Sequence, residues 1–254
     1  MGGACEVICF CEAPADFQIA SELIDRVLRE RGQTWLAETL DVAPDGVRRW
    51  IDDGGGRSFF NLHRCDAYAR QFNVRVPHGH FDSKPGAPGA LMGRTVFQIG
   101  RRLSQRCEGP VALVLVWDMD QQPVERRAGL EQARVEARSY VNFAIVLGSP
   151  NAMREAWVLA GFEPATDDER AQLAVARQEL GFAPNEAAHR LDAADEQAKT
   201  SAKRVLRILV QDPDREAQCW RETPLEQLQK RSASTGLREF LSEIETELLP
   251  LVLR

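Results

Sequence analysis

Apolar positions along the chain follow two different periods, and their alternation sets out the fold. Val7-Ile8-Cys9-Phe10-Cys11 and Val111-Ala112-Leu113-Val114-Leu115-Val116-Trp117 are short unbroken apolar runs, the mark of strands buried on both faces. Phe17, Ile19, Ala20, Leu23, Ile24, Val27 and Leu28 instead recur with the 3.6-residue period of a helix. Along the chain these patterns predict a strand over 5–11, a helix over 16–31, a helical insertion over 33–73 and a strand over 74–82. A helix over 92–106, a strand over 111–118, a helix over 124–140 and a strand over 142–147 follow. Strands alternating with helices predict an α/β domain with a parallel sheet of about four strands, flanked by helices on both faces.

From about residue 164 only helical patterns remain. Asp167-Asp168-Glu169 opens a helix that Gly181 closes, and residues 192–210 form a second. Leu225, Leu228, Leu237, Phe240, Leu241, Ile244, Leu248 and Leu249 line a final amphipathic pair. The expected organisation is an α/β domain over 1–163 with a helical region over 164–254 packed on it. Within the insertion, Thr34 to Trp50 resembles a helix-turn-helix, with a second helix carrying Val47, Arg48, Arg49 and Trp50. Asp45 and Gly46 occupy the positions where such modules read bases, and Asp52-Asp53 would repel phosphate, so a packing insertion or lid is the better account.

Chemistry enters where the strands end. Asp118-Met119-Asp120 stands directly behind an apolar strand, at the end of an α/β sheet where ligands bind. Two carboxylates one residue apart repel each other, and a hard cation such as Mg²⁺ relieves that repulsion. Acidic residues also end strands as turn formers, so the motif alone is weak. A second acidic site lies upstream: Glu12 at the exit of the first strand, a turn containing Pro14, and Asp16 at the start of the next helix. Asp16 reads equally as a helix cap.

A strand ending in Glu12, a helix beginning at Asp16 and a later strand ending in Asp118-Met119-Asp120 together resemble the Toprim fold, the metal-dependent catalytic module of type IA and type II topoisomerases, DnaG-type primases and OLD-family nucleases. The Glu-x-x-x-Asp spacing is most similar to that of OLD-family proteins and their small stand-alone relatives in bacterial defence loci. Those proteins carry Gly after the Glu, where this chain has Ala13 and Pro14. The strand Asn142 to Leu147, followed by Arg154-Glu155-Ala156-Trp157, resembles their fourth strand and its Glu-bearing helix. Glu155 therefore matches a residue that faces the acidic cluster; its bland reading is a solvent-facing helix Glu. His189-Arg190 and Lys203-Arg204 fall where such relatives carry a downstream basic residue. The resemblance spans about residues 5–210.

It implies a Mg²⁺- or Mn²⁺-dependent nuclease hydrolysing phosphodiester bonds of DNA or RNA. Glu12, Asp16, Asp118, Asp120 and Glu155 would be the metal ligands. Glu12, Asp118, Asp120 and Lys203 would act in catalysis, and no organic cofactor is expected. A topoisomerase needs a tyrosine nucleophile on a further domain, and a primase needs template-handling domains. The stand-alone relatives imply a role in anti-phage defence beside a partner ATPase.

Composition narrows the picture without choosing among these. The chain has 254 residues, and no apolar run reaches the length of a membrane span. Six cysteines without metal-type spacing read as small apolar core residues in a reducing, cytoplasmic compartment; a zinc site at Cys9 and Cys11 lacks a second Cys or His pair. A net charge of −6 argues against binding nucleic acid through overall charge, leaving local basic stripes. Arg101-Arg102 with Arg106, Arg126-Arg127, and Lys199, Lys203, Arg204 and Arg207 are the candidates, with Lys203 and Arg207 one helical turn apart the most suggestive. The Gly/Pro-rich stretch around Lys84 is expected to face substrate, and His78 and His80 share one strand face. The competing reading is a catalytically silent Toprim-like scaffold that binds a partner protein or nucleotide. A haloacid-dehalogenase-like phosphotransferase ranks third, because its Asp-x-Asp stands early in the chain.

Overall fold

The computed structural model describes residues 3–75, 86–120, 122–151 and 153–253. Most of the strand expected over 74–82, with His78, His80 and Lys84, lies outside them. Two compact units are formed, one from Met1–Trp117, Val124–Gly148 and Ser242–Arg254, the other from Asp118–Pro123 and Ser149–Leu241.

The first unit is built around β1 (Cys5–Cys11), all seven residues of which are buried. It continues with α1 (Pro14–Arg31), α2 (Thr34–Val42), β2 (Arg48–Trp50), β3 (Phe60–Asn61), α3 (Cys65–Gln71), α4 (Ala90–Ser104), β4 (Val111–Val116), α5 (Pro123–Ala137) and β5 (Ala144–Gly148). Every pairing in the described sheet is parallel, in the order β2-β1-β4-β5, with β3 also on β1. Phe10 stands opposite both Leu115 of β4 and Phe60 of β3. β2 and β3 thus lie end to end along one edge of β1, and β4 holds the other. The parallel α/β architecture read from the sequence is observed.

The insertion over 33–73 departs from its helical expectation. Arg48 to Trp50 is a strand, and no second recognition helix exists there. Arg48 explains the difference: its guanidinium makes a two-pronged contact with Asp25 of α1, at 2.9 and 2.6 Å, while its backbone pairs in register with Cys5. Trp50 packs edge-on against Phe17, with ring centroids 5.0 Å apart, so both side chains anchor the segment to α1. Phe60 repeats this further along, stacked on Phe10 at 5.0 Å and edge-on to Tyr68 at 5.2 Å.

Helix α1 buries Ile19, Ala20, Leu23, Ile24, Val27 and Leu28, the stripe that the periodicity predicts. Helix α4 approaches the sheet closely through Gly100, where a Cβ would stand 2.3 Å from a methyl of Leu113. Between α4 and α5, Arg94 and Glu136 form a buried fork, with Nε to Oε2 at 2.6 Å and a second nitrogen to Oε1 at 2.8 Å. Gln132 adds a third hydrogen bond to Glu136.

The second unit is helical: α6 (Glu155–Ala160), α7 (Asp167–Leu180), α8 (Ala202–Leu209), α9 (Pro213–Arg221) and α10 (Leu225–Arg231), with α11 (Leu237–Glu243) beginning inside it. Trp157 is its fully buried centre, stacked on Phe240 at 5.1 Å with its indole N–H donating to the Thr235 carbonyl at 2.8 Å. Thr166, Ser201 and Asp212 cap α7, α8 and α9 with their side-chain oxygens. The helix expected over 192–210 is shorter than its pattern, because Ser201 starts it and residues 192–200 form a loop. Gly181, at φ 76, closes α7 as expected.

All six cysteines are free, and only Cys107 is not buried. Burial pushes the Cys5, Cys65 and Cys219 thiols up to about 12, as befits core residues.

The Arg94–Glu136 pair makes stability depend on pH. The Arg94 hydrogen bond, against the opposing cost of burial, holds the Glu136 carboxyl below its usual value. Its contribution is therefore complete above the unfolded carboxyl value of about 4.3 and is lost as pH falls through the lower folded value. Replacing Glu136 with Gln is expected to cost roughly 3 kcal/mol near neutrality, as for a broken buried pair. Urea unfolding at about pH 7 and about pH 3 should show the gap from the wild type narrowing in acid; a gap that is independent of pH would contradict this linkage.

Candidate functional site

In the first unit, the end of β1 is held by a network of short contacts. The Asp16 carboxylate accepts the Ala13 N–H at 2.8 Å, which closes the first turn of α1 around Pro14. Ala13 is extended, at φ −141, so the turn needs no glycine and the substitution noted in the sequence introduces no backbone strain. Asn61 donates from its side chain to the Glu12 carbonyl at 2.8 Å. The His63 Nε2 lies 3.8 Å from a Glu12 carboxylate oxygen. Asn61 and His63 come from the far end of the insertion, and nothing in the sequence signals them; parallel pairing of β3 with β1 brings them there. Glu12 is thus positioned and partly exposed, whereas Asp16 is mostly buried and has a capping role.

In the second unit, two of the residues singled out from sequence, Glu155 and Lys203, line one cavity. Met119 is fully buried, and its N–H donates to the Pro150 carbonyl at 3.0 Å, pinning the Asp118–Asp120 turn to the loop before α6. With Met119 inward, Asp118 is half-buried and Asp120 exposed, the latter in a left-handed conformation at φ 46 that Asp tolerates better than most residues. Glu155 opens α6, and Lys203 lies in the first turn of α8. The Lys203 ammonium is held above its usual value chiefly by the Glu196 carboxylate, against an opposing effect of burial, with the fields of Glu155 and Asp118 adding to it. Glu155, Lys203, Arg154, Arg207, Leu206 and Glu216 line a cavity of about 290 Å³.

Arg154 organises this cavity. It reaches Glu216 of α9 at 2.5 Å and Glu155 at 3.6 Å. One nearly buried guanidinium therefore serves two carboxylates. Arg154 was visible in sequence only as the neighbour of Glu155; Glu196 and Glu216 carried no signal, because their partners are distant along the chain.

The remaining basic stripes are engaged elsewhere. Arg101 lies over Tyr140, Arg106 over Phe72 and Arg126 over Trp117, the last with 4.9 Å between guanidinium and ring centroid. Arg204 bonds Glu179 at 2.9 Å, and Arg190 lies over Phe182 at 4.0 Å. Lys203 and Arg207 share Glu196. A cavity of about 580 Å³ in the first unit is mainly apolar, with Trp117, Met92, Leu91 and Cys65 in its wall.

Among the described residues, no three His, Cys, Asp or Glu side chains are grouped as a set for a metal ion. Mg²⁺ does not require one, since it binds through one or two carboxylates together with water and phosphate oxygens. Asp118, Asp120 and Glu155 each offer oxygen donors that are not fully buried, and one or two of them suffice for that mode of binding. Cys9 and Cys11 are buried in β1, and the Cys11 thiol donates to the Ala13 carbonyl at 3.4 Å. No family model, curated protein or solved structure matches the chain.

Substitution tests whether Asp16 does more than cap α1. Asp16→Ala is expected to cost about 1 kcal/mol through loss of the cap, and Asp16→Asn, which keeps an acceptor oxygen, considerably less. Denaturant unfolding without metal measures the cap. Calorimetric titration with Mg²⁺ measures ligation, which both variants would weaken if Asp16 is a ligand.

Proposed function

We propose that the chain is a Toprim-like, Mg²⁺-dependent phosphodiesterase that cuts DNA or RNA. The observation that carries this reading is the cavity of the second unit that Glu155 and Lys203 line together, with the charges of Glu155 and Asp118 both acting on Lys203. Two carboxylates beside one ammonium suit a phosphodiester: the acids can hold a cation that meets its oxygens, and the lysine can meet the remaining charge.

Asp118, Asp120 and Glu155 would hold Mg²⁺. When bound, the ion lowers the pKa of water and stabilises charge on a leaving oxygen. Lys203 supports the phosphate as a compact charge that can turn between partners. Arg154 positions Glu155 by holding it against α9 through Glu216. The resemblance to Toprim proteins adds Glu12 as ligand or general acid-base and Asp16 as ligand. It also adds anti-phage defence beside an ATPase partner as the biological setting. The catalytically silent scaffold is the second reading, favoured by the structural use of Asp16 as a cap.

Cleavage of plasmid, single-stranded DNA and total tRNA, each with Mg²⁺, Mn²⁺ or EDTA, tests the proposal. The wild type is expected to cut at least one substrate with metal. Asp118→Ala/Asp120→Ala should lose about 100-fold or more, the scale expected when groups that stabilise transition-state charge are removed. Substrate binding without cutting, indifferent to metal and to the double substitution, would instead establish the scaffold.

A further inference from the structure

Glu196 sits on a small loop before α8 that is closed at its base and exposed at its tip. The Ala193 N–H donates to the Thr200 carbonyl at 3.2 Å, so the two ends meet. Inside, Asp195 turns the chain by accepting the Gln197 N–H on its side chain at 2.9 Å and the Ala198 N–H on its carbonyl at 3.0 Å. Asp192, Asp195, Glu196, Gln197 and Lys199 are all exposed. From this tip Glu196 returns to α8, with Oε1 3.1 Å from Lys203 Nζ and Oε2 3.8 Å from an Arg207 guanidinium nitrogen.

One carboxylate thus spans two cations set one helical turn apart, each oxygen turned to its own cation. Two oxygens of a phosphodiester would meet the same pair in the same way. Lys203 and Arg207 also line the cavity that contains Glu155. We propose that Lys203 and Arg207 are the receptor for a backbone phosphate of a nucleic-acid strand, and that Glu196 occupies this receptor as an internal stand-in while substrate is absent.

Exchange of the two anions is balanced in charge. A phosphodiester brings one negative charge and Glu196 takes one away, so the field of Glu155 and Asp118 on Lys203 meets an unchanged total. The latch is weak, because side chains about half exposed gain little from pairing in water. Only the tip needs to move, since the base is tied by its own backbone bond and Ser201 is fully buried where α8 begins. The inference rests on the phosphodiesterase reading for the identity of the phosphate. It adds that strand entry must first displace Glu196, so this residue sets the threshold for binding.

The test measures binding in EDTA, where no cutting occurs, by fluorescence anisotropy of labelled 12-nucleotide single strands of DNA and of RNA. Glu196→Gln is expected to tighten binding about 2- to 5-fold, within the range available to an exposed ion pair. Lys203→Gln and Arg207→Gln should each weaken binding and each reduce the salt slope by about 0.7, the signature of one lost phosphate contact on a single strand. The gain from Glu196→Gln should disappear in the Glu196→Gln/Lys203→Gln double variant. Equal or weaker binding by Glu196→Gln, or an unchanged slope in both cation variants, would overturn the proposal. Cutting with metal is scored separately, so an uncut panel with the expected affinities would sink the phosphodiesterase while leaving the phosphate receptor standing.

Discussion

The two-sided burial of β1 is the constraint from which the first unit follows. A strand with no solvent face needs lateral partners on both edges and helices above and below, and here β2 and β3 share one edge while β4 takes the other. Because all pairings are parallel, the chain leaves each strand at the same edge of the sheet. Glu12 after β1 and Trp117 after β4 therefore emerge side by side.

Charge is organised in two different ways. Arginine forks hold elements together at largely buried positions: Arg48 with Asp25, Arg94 with Glu136, and Arg215 with Glu169. A planar guanidinium presents two donors to one carboxylate at fixed geometry, which suits a permanent tie. The chain has only four lysines, and one of them stands where Glu155, Glu196 and Asp118 direct their charge. An ammonium is a hydrated point charge on a flexible stem, better suited to changing partners. The overall charge of −6 therefore says little about this cavity, where the local balance is set by a few side chains.

The long elements were legible in the sequence because burial imposes an unmistakable period. β1, α1, α4, β4, α5, α7 and β5 fall within a few residues of their predicted ranges. The insertion was misread because strands of two or three residues are too short to show alternation. Arg48 shows no local pattern, because its partner, Asp25, lies on another element. The loop at 192–200 was read as helix because its alanines fit a helical face; Ser201, a cap followed by the apolar stripe Val205, Leu206 and Leu209, held the correct signal. At the candidate site, the acids could be proposed from their positions at strand ends. Arg154 acquires its meaning only through Glu216, and Lys203 through Glu196, and pairings between distant residues leave no local pattern.

The turn after β1 shows how a departure from an expected motif can be neutral. Glycine after an acid at a strand exit is required only if the backbone must enter the left-handed region, and Ala13 remains extended. Pro14 then fixes the first helical position, where its missing N–H costs nothing. The Asp16 carboxylate closes the turn through the Ala13 N–H, and a carboxylate has about four lone-pair sites, so capping does not by itself exhaust its capacity to accept. Asn61 holds the Glu12 carbonyl from the neighbouring strand. Hydrogen bonds from residues on either side thus hold the turn that carries Glu12. The insertion that supplies Asn61 and His63 therefore belongs to the surroundings of Glu12 as much as to the packing of the sheet.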